Sequence, residues 1–482
     1  MAKKDTKGIT VSREDDFSEW YTQVIQKADL ADYSSVSGCI VYKPGSYSIW
    51  EIIKSVTDAK FKAIGVKNAY FPLFIPEKLL QKEKDHVEGF SPEVAWVTHA
   101  GDTKLKERLA VRPTSETIMY ESYSKWIRSH NDLPLRINQW NNVVRWEFKH
   151  PTPFLRGREF LWNEGHTCFA TKEEAEAEQE QIIGIYNDVC QNYLALPSLI
   201  GKKSEKEKFA GAEYTVSMEF LMPNGKSIQG PDFHHDGQNF AKAFEISFMD
   251  KNDEKQYVWQ NTWAISTRML GVLFAIHGDD KGLVLPPKIA PTQVVIVPII
   301  FDKTKKAVLK EAENIKVKLE KIGVSVNLDV RENYSPGWKF NEWEVKGIPI
   351  RIELGPRDLE NKQVMIARRD TNEKKAVKLG DVGKVVPELL EKMQSDLFNK
   401  AEKYLKSSII KVETRKDAEK VLKDNKIFFA PWCGSVKSEE EFKEKMGAKS
   451  LNSPFKQPSL KDKKCFLGCG EAKSWFYFGK SY

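Results

Sequence analysis

Three arginines and three glutamates crowd one stretch, Asn142 to Thr167: Arg145, Arg156 and Arg158 beside Glu147, Glu159 and Glu164, on two apolar arms around a Pro-containing turn. In an antiparallel hairpin residues of one parity share a face, so Arg145 stands with Glu147 and Arg156 with Arg158. Planar guanidinium forks suit phosphate and carboxylate. The same residues would equally serve a surface hairpin laced by cross-strand ion pairs, and spacing alone leaves both readings open. Arg268 heads the apolar run Met269 to His277, where a guanidinium needs an anion or a π face, from a ligand or from a buried structural pair. Arg112-Pro-Thr-Ser-Glu116 reads by itself as a helix start, with Thr114 capping and Glu116 in the first turn. Cys433, Cys465 and Cys469 form an incomplete set of metal ligands near the C-terminal end. A structural zinc site takes four, and the nearby sequence offers no fourth, so no bound zinc is expected.

The elements that must position these groups fall into three blocks. Residues 1–16 read as a loose tail, 17–287 as a large mixed α/β body, 288–400 as a smaller α/β domain and 401–482 as a C-terminal module. In the first body Thr171-Lys-Glu-Glu174 is a capping box, followed by Ile182, Tyr186, Val189 and Tyr193 at helical spacing. Leu285-Pro-Pro287 is a rigid joint, and Val294 to Ile300 is a continuous apolar run of the kind that forms a buried parallel strand. Val308, Ala312, Ile315, Leu319 and Ile322 mark one helix face, Val324 to Val330 the next strand, and Ile348 to Leu354 an alternating one. With 41% apolar and 30% charged residues the chain is not disordered, collagenous or a coiled coil. It contains no span for a membrane and no apolar leader, so a cytoplasmic protein without a membrane partner is expected. A net charge of +7 permits a polyanionic partner without demanding one. Cys39, Cys168 and Cys190 read as reduced core thiols. There is no G-x-x-x-x-G-K-[ST] and no G-x-G-x-x-G opening a helix, so an ATP site would have to be built by other means.

In order along the chain, Phe17-Ser-Glu-Trp-Tyr21, Glu88-Gly-Phe-Ser-Pro-Glu-Val-Ala-Trp96, Arg112-Pro-Thr-Ser-Glu116, Val144-Arg-Trp-Glu147, Glu159-Phe-Leu-Trp-Asn-Glu-Gly-His166, Gly278 to Pro287 and Gly347-Ile-Pro-Ile-Arg-Ile-Glu353 closely resemble the motifs of class II aminoacyl-tRNA synthetases. More narrowly, the words resemble the prolyl-tRNA synthetase family of archaeal and eukaryotic cytoplasmic type. The resemblance implies an antiparallel-sheet catalytic core with helices, an α/β anticodon-binding domain and a small C-terminal α/β module that binds zinc in many members. It implies ATP with Mg2+ and proline as substrates, tRNA(Pro) as acceptor, and a homodimer built through motif 1, which would end at Pro72. By matching position, Arg145 would hold the ATP α-phosphate, Glu147 would sit near the adenine, and Phe160 and Arg268 would sandwich its ring. Arg156 would be a second nucleotide- and substrate-binding arginine. Thr114 and Glu116 would meet the proline nitrogen, Trp162, His166 and Trp263 would line or buttress the ring pocket, and Gln229, Asp232 and His234 match further positions of the ATP and proline sites. The chain ending at Tyr482 matches a family terminus that reaches back toward the active site. Arg331, Lys339, Lys346, Arg351, Arg357, Arg368 and Arg369 are the cations available to an anticodon.

The chain departs from the family pattern at the site itself. Where the family reads Gln-x-x-Thr-Ser-His-x-Leu-Gly, Asp232 stands for Thr, Phe233 for Ser and Asp236 for an apolar residue. A carboxylate at 232 would repel phosphate unless magnesium or His234 offsets it. Ala264 stands where the family has glycine, Gly157 where it has Thr, and Ser438 and Asn452 near the positions of two zinc-binding cysteines. These departures keep two alternatives in view: a paralogue activating another small amino acid, and a non-catalytic tRNA-binding protein. Against the second stand Arg145, Arg156, Arg268, Glu116 and Glu147, which a pure binder has no chemical reason to keep.

Overall fold

A computed structural model describes residues 8–86, 93–147 and 151–482. Residues 88–92 of one motif word and 148–150 at the tip of the arginine-rich hairpin lie outside the described residues. A seven-stranded sheet dominates the first body, in the order Lys67–Asn68, Leu135–Val144, Glu159–Phe169, Trp259–Ser266, Ser227–Gly237, Tyr214–Leu221, Leu199–Lys202. Only the short edge strand Lys67–Asn68 runs parallel to its neighbour, and the other pairs are antiparallel. One face is covered by the helices Pro44–Ala63, Lys172–Asp188 and Arg268–His277, whose Ile49, Trp50, Phe61, Tyr186 and Leu270 share a buried cluster with Trp263. The helix Glu116–Trp126 and the short helix Asn239–Phe244 form a second cluster through Met119, Tyr120, Tyr123 and Phe240. The space between this helix pair and the sheet is where polar side chains converge.

The capping box is present: the Thr171 side chain accepts from Glu174 N and Glu174 reaches back to Thr171 N. The expected tail is partly held down. Arg13 donates from Nη1 to Gly278 O at 2.7 Å, Thr10 N to Gln23 at 2.8 Å, and Asp16 caps the helix Phe17–Lys27. Residues 8–16 are therefore part of the body, because a guanidinium and backbone amides find acceptors there.

Beyond the joint, Val294–Pro298 is wholly buried and parallel to both Val326–Leu328 and Ile350–Leu354, while Gln363–Arg368 and Lys374–Lys378 add antiparallel strands. The helix Lys305–Glu320 buries Val308, Ala312, Ile315 and Leu319, but Ile322 lies past its end and is exposed. The strand expected from 324 to 330 shrinks to three residues. The helix Val382–Ser407 runs unbroken through the join expected at 400/401. Its buried Leu397, Ala401 and Leu405 continue one apolar stripe, so no boundary signal exists where two compositional blocks meet on one rod. The module then forms a four-stranded sheet, Ile409–Lys411, Ile427–Trp432, Ser474–Gly479 and Lys449–Ser450. The final residue returns to the first body, with Tyr482 N donating to Ser227 O at 3.0 Å and Asn224 Nδ2 to the Tyr482 hydroxyl at 2.9 Å.

Of the cations set aside for RNA, several are committed elsewhere. Lys339 and Arg368 are buried against Asp329 and against Asp370 with Asp396. Arg369 grips Asp279 with two bonds of 2.8 and 2.6 Å, clamping the second domain to the first. Arg331 pairs with Asp329 and Glu342, Lys346 with Glu342, and Arg351 with Glu353. Arg357 is exposed at the start of a short helix.

Candidate active site

A cavity of about 410 Å³ opens between the sheet and the helix Glu116–Trp126. Thr114, Glu116, Arg145, Glu147, Trp162, His166, Gln229, Asp232, His234 and Trp263 all line it. Strand alternation explains the grouping. Trp162, Glu164 and His166 share one face of Glu159–Phe169, and the register brings Ala264 beside Glu164 and Thr262 beside His166. Asp232 and His234 follow on the next strand, opposite Ala264 and Thr262.

Glu164 anchors the floor. Its carboxylate accepts from Ser115 N at 3.0 Å and Asn141 Nδ2 at 2.6 Å, and meets His166 Nε2 at 3.1 Å. Burial alone would raise its pKa, but His166 and the donors from Ser115 and Asn141 overcome this and hold it down to about 2. The partner shift is complementary: burial disfavours charge on His166, yet Glu164 and Glu116 raise its pKa above the usual value. Glu116, Glu164 and His166 present ligand atoms within 4.8 Å of one another.

Thr114 does not cap the helix. Ser115 occupies the cap position but its hydroxyl donates to Glu164 and does not cap, and the Thr114 hydroxyl donates to the Glu116 carboxylate. The motif thus spends its hydroxyl on orienting an acid in the cavity. Arg112 is structural, donating to Asn142 O at 2.8 Å and Phe71 O at 3.0 Å.

Arg145 donates from Nε to Pro113 O at 2.9 Å, and its guanidinium lies 5.2 Å from the Trp162 ring and 5.5 Å from the Phe160 ring. Phe160 and Trp162 meet edge to face at 5.7 Å. Phe160 and Arg156 border a neighbouring cavity of about 180 Å³ instead, against the hairpin 31–42. Arg268 donates to Leu155 O at 3.2 Å and Gln229 O at 3.0 Å. Among the described residues it forms no ion pair; burial, then Arg145 and Arg156, bring its pKa down to about 10. Arg145 and Arg156 both repel Arg268, so an anion placed among them would be stabilised.

The expected charge problem at Asp232 has a local answer. Gln229 Nε2 donates to it at 2.8 Å, and His234 Nε2 stands 3.5 Å away. Burial raises its pKa, but His234, Gln229 and Arg268 outweigh this and keep it below the ordinary carboxylate value. Asp236 is different: it is fully buried, among the described residues neither oxygen has a hydrogen-bond partner within ordinary geometry, and burial together with Glu116 pushes its pKa well up against the opposing effect of Thr262.

Trp263 buttresses the cavity from behind. Its ring lies against Gly165, where an added Cβ would come within 2.1 Å, and is 4.6 Å from the Phe61 ring. The sequence reading missed Phe209 and Glu207, which wall the cavity from a loop, and Thr262. Phe209 sits 4.7 Å from the His234 ring, a contact that no local pattern announces.

In the C-terminal module Cys433, Cys465 and Cys469 do come together, within 4.8 Å of one another. Ser438 approaches Cys433, but Asn452 does not join them. Its amide donates to Leu199 O and Ser217 O, so it ties the module to the main sheet.

Residues 96–277 match the family model "tRNA synthetase class II core domain (G, H, P, S and T)", 293–389 the anticodon binding domain, and 415–482 the C-terminal domain of prolyl-tRNA synthetase. A cytoplasmic proline–tRNA ligase of Arabidopsis thaliana is 49% identical over 100% of this chain and 93% of its own. A proline–tRNA ligase of Bacillus thuringiensis is 50% identical over the full length of both. The crystal structure of prolyl-tRNA synthetase from Cryptosporidium parvum, complexed with halofuginone and AMPPNP, superimposes with a TM-score of 0.95 at 47% identity, covering 99% of this chain and 100% of that one. Motifs, antiparallel core, three matched domains and full-length relatives converge, and the chain belongs to the prolyl-tRNA synthetase family of class II aminoacyl-tRNA synthetases.

Proposed function

We propose that this cavity activates proline with ATP to prolyl-adenylate and pyrophosphate, and that the prolyl group then passes to the 3′ end of tRNA(Pro). The observation that carries this reading is an acid oriented by a hydroxyl, Glu116 with Thr114, in one cavity with the Arg145 guanidinium, while Arg268 and Arg156 stand close enough for the three cations to repel one another. Adenylate formation is in-line attack of a carboxylate on the α-phosphate, and its main demand is cationic charge to offset anion–anion repulsion. In this reading Arg145 and Arg156 hold the carboxylate and α-phosphate, and Phe160 and Arg268 flank the adenine, with Glu147 at its edge. Glu116 takes a charge-assisted bond from the proline ammonium while Trp162 and His166, braced by Trp263, measure the ring. Gln229 and His234 complete the wall. Asp232, held through Oδ2 by Gln229 and faced at Oδ1 by His234, stands in the cavity wall, where its carboxylate would be a hard ligand for the Mg2+ that arrives with ATP and neutralises phosphate charge.

The same reading includes a catalytic domain over 17–287, an anticodon-binding domain over 288–400 and a C-terminal domain over 401–482. It also includes a homodimer through the region ending at Pro72, where Tyr70 and Phe74 are exposed, and residence in the cytoplasm, as the name of the Arabidopsis relative states of that protein. The test is proline-dependent exchange of labelled pyrophosphate into ATP, with alanine and cysteine alongside, since a small apolar pocket discriminates by only about 1–3 kcal/mol per methylene. Strong exchange with proline supports the assignment; none refutes it. Asp236 favours one second reading, activation of another small amino acid. An unpartnered carboxyl beneath the pocket would suit a substrate bearing an extra hydrogen-bonding group.

A further inference from the structure

The proposed reaction uses none of Cys433, Cys465 and Cys469. Family resemblance points to a four-ligand zinc centre here, and the residues do not fit one. The corner next to Cys433 is a hydroxyl, Ser438 Oγ at 3.6 Å, which already accepts from Trp432 Nε1 at 2.9 Å and donates to Ser435 O at 2.8 Å. Among three thiolates a serine hydroxyl is a poor match for zinc. The sulfurs are also too crowded. Cys469 Sγ lies 3.0 Å from Cys433 Sγ and 3.2 Å from Cys465 Sγ. Thiolates around a tetrahedral zinc, at Zn–S of about 2.3 Å, stand about 3.8 Å apart.

The backbone sets this closeness. Phe466 N donates to Pro431 O at 2.9 Å and Lys473 N to Trp432 O at 2.8 Å, so the turn carrying Cys469 is fastened to the strand end that carries Cys433. Cys469 is exposed, Cys433 half-buried and Cys465 buried. We propose that Cys433 and Cys469 are a reversible redox pair that closes to a disulfide by exchange with an oxidised low-molecular-weight disulfide such as oxidised glutathione. A thiolate of the pair attacks one sulfur of the oxidant, forming a mixed disulfide and expelling one small thiol. The other cysteine's Sγ then attacks the protein sulfur of the mixed disulfide, the second small thiol leaves, and the two protons given up by the cysteines end on the two released thiols. Two electrons pass from the pair to the oxidant. Closure shortens the sulfur separation from 3.0 Å to about 2.05 Å and draws the backbone at Cys433 toward that at Cys469.

The pair is wired to the cavity wall. Cys433 lies two residues before Ser435, the cap of the helix Val436–Met446. On that helix Glu439 accepts from Ser204 Oγ at 3.1 Å and Glu440 pairs with Lys206 at 3.0 Å. The loop they hold carries Glu207 and Phe209 in the cavity wall, and the reduced arrangement is the one that seats Phe209 against His234. Oxidation displaces this seat and weakens proline binding.

The reduced full-length protein is titrated with oxidised glutathione while its metal content is measured. The expected result is loss of about 2 Da per chain, a non-reducing peptide map joining Cys433 to Cys469, reversal by dithiothreitol, and no stoichiometric zinc. Cys469→Ser abolishes the cross-link and keeps basal pyrophosphate exchange. One tightly held zinc per chain that shields the thiols, or thiols that stay free throughout, would overturn the proposal. The coupling to the wall rests on the activity proposed above and is read as a roughly 3-fold higher KM for proline in the oxidised form. Equal KM values would overturn the coupling, while a chain that exchanges nothing with proline fails the activity and leaves the disulfide map to judge the pair.

Discussion

A single carboxylate, Glu116, carries the charge-assisted bond proposed for the amino acid's ammonium group. Glu116→Gln keeps the shape and the bond from Thr114 but removes the charge that meets a secondary ammonium. The expected loss is about 1.5–3 kcal/mol, a roughly 10- to 150-fold rise in KM for proline with a far smaller effect on KM for ATP. Pyrophosphate exchange at varied proline and varied ATP reads the two apart. His277 makes a different prediction, about stability. Burial first, with Lys400 and Arg13 nearby, depresses its pKa to about 4, and it meets Leu194 O at 2.9 Å. The unfolded chain therefore binds a proton that the folded chain refuses, and stability present above the ordinary histidine range of about 6.5 is lost as pH falls toward 4, by up to about 3 kcal/mol. Denaturant melts of His277→Gln should show a flatter decline over that window than the parent chain. Thr114 marks the limit of reading residues by themselves: the local pattern made it a helix cap, and only the acid two residues on, turned into a cavity, gave its hydroxyl another partner.

At the scale of elements, the paired strands Glu159–Phe169 and Trp259–Ser266 fix the pocket through their register. Trp263 faces Gly165 across the pair, and its ring occupies the space a side chain at 165 would need. Gly165→Ala forces that ring away from Phe61. Overpacking of this kind costs about 1–3 kcal/mol, so calorimetry should find Tm lower by roughly 2–10 °C, with proline exchange reduced in parallel. An unchanged Tm would mean the strands separate easily and do not hold the pocket rigidly. Elements were legible in the chain where one periodicity dominated, as in the helix Lys305–Glu320 and the buried strand Val294–Pro298. They were misjudged at ends, where Ile322 continues the apolar spacing after the helix has stopped; at 400/401 the amphipathic stripe of one helix passes from one block to the next without a break.

Over the whole molecule, acidic partners already neutralise many of the cations on the second domain. Arg369 clamps Asp279 and Arg368 is buried among two aspartates, so binding to tRNA must rely on exposed cations such as Arg357. Affinity for tRNA(Pro) should fall linearly in log–log terms as salt rises, through release of condensed counterions. Arg357→Ala should reduce that slope by roughly 1 if it neutralises a phosphate. Filter binding from low to high salt measures both slopes, and identical slopes would remove Arg357 from the interface. The C-terminal module is no appendage, since Asn452, Ser453 and Tyr482 bond to the main sheet and Lys449 pairs with cavity-wall Glu207.

The order of motif words along the chain determined the family, the antiparallel core and the identity of the residues that meet in the cavity, because these depend on side-chain chemistry and on alternation within single strands. The tertiary structure alone decided which of them share one space. Arg156 and Phe160 border a second hollow, Trp263 packs through Gly165 from the far face, Asp232 is offset by His234 and Gln229, and Asp236 is left buried without a hydrogen-bond partner among the described residues. Each of these outcomes follows from pairing between strands far apart in sequence, and the electrostatics of a buried acid depend on what that pairing puts beside it.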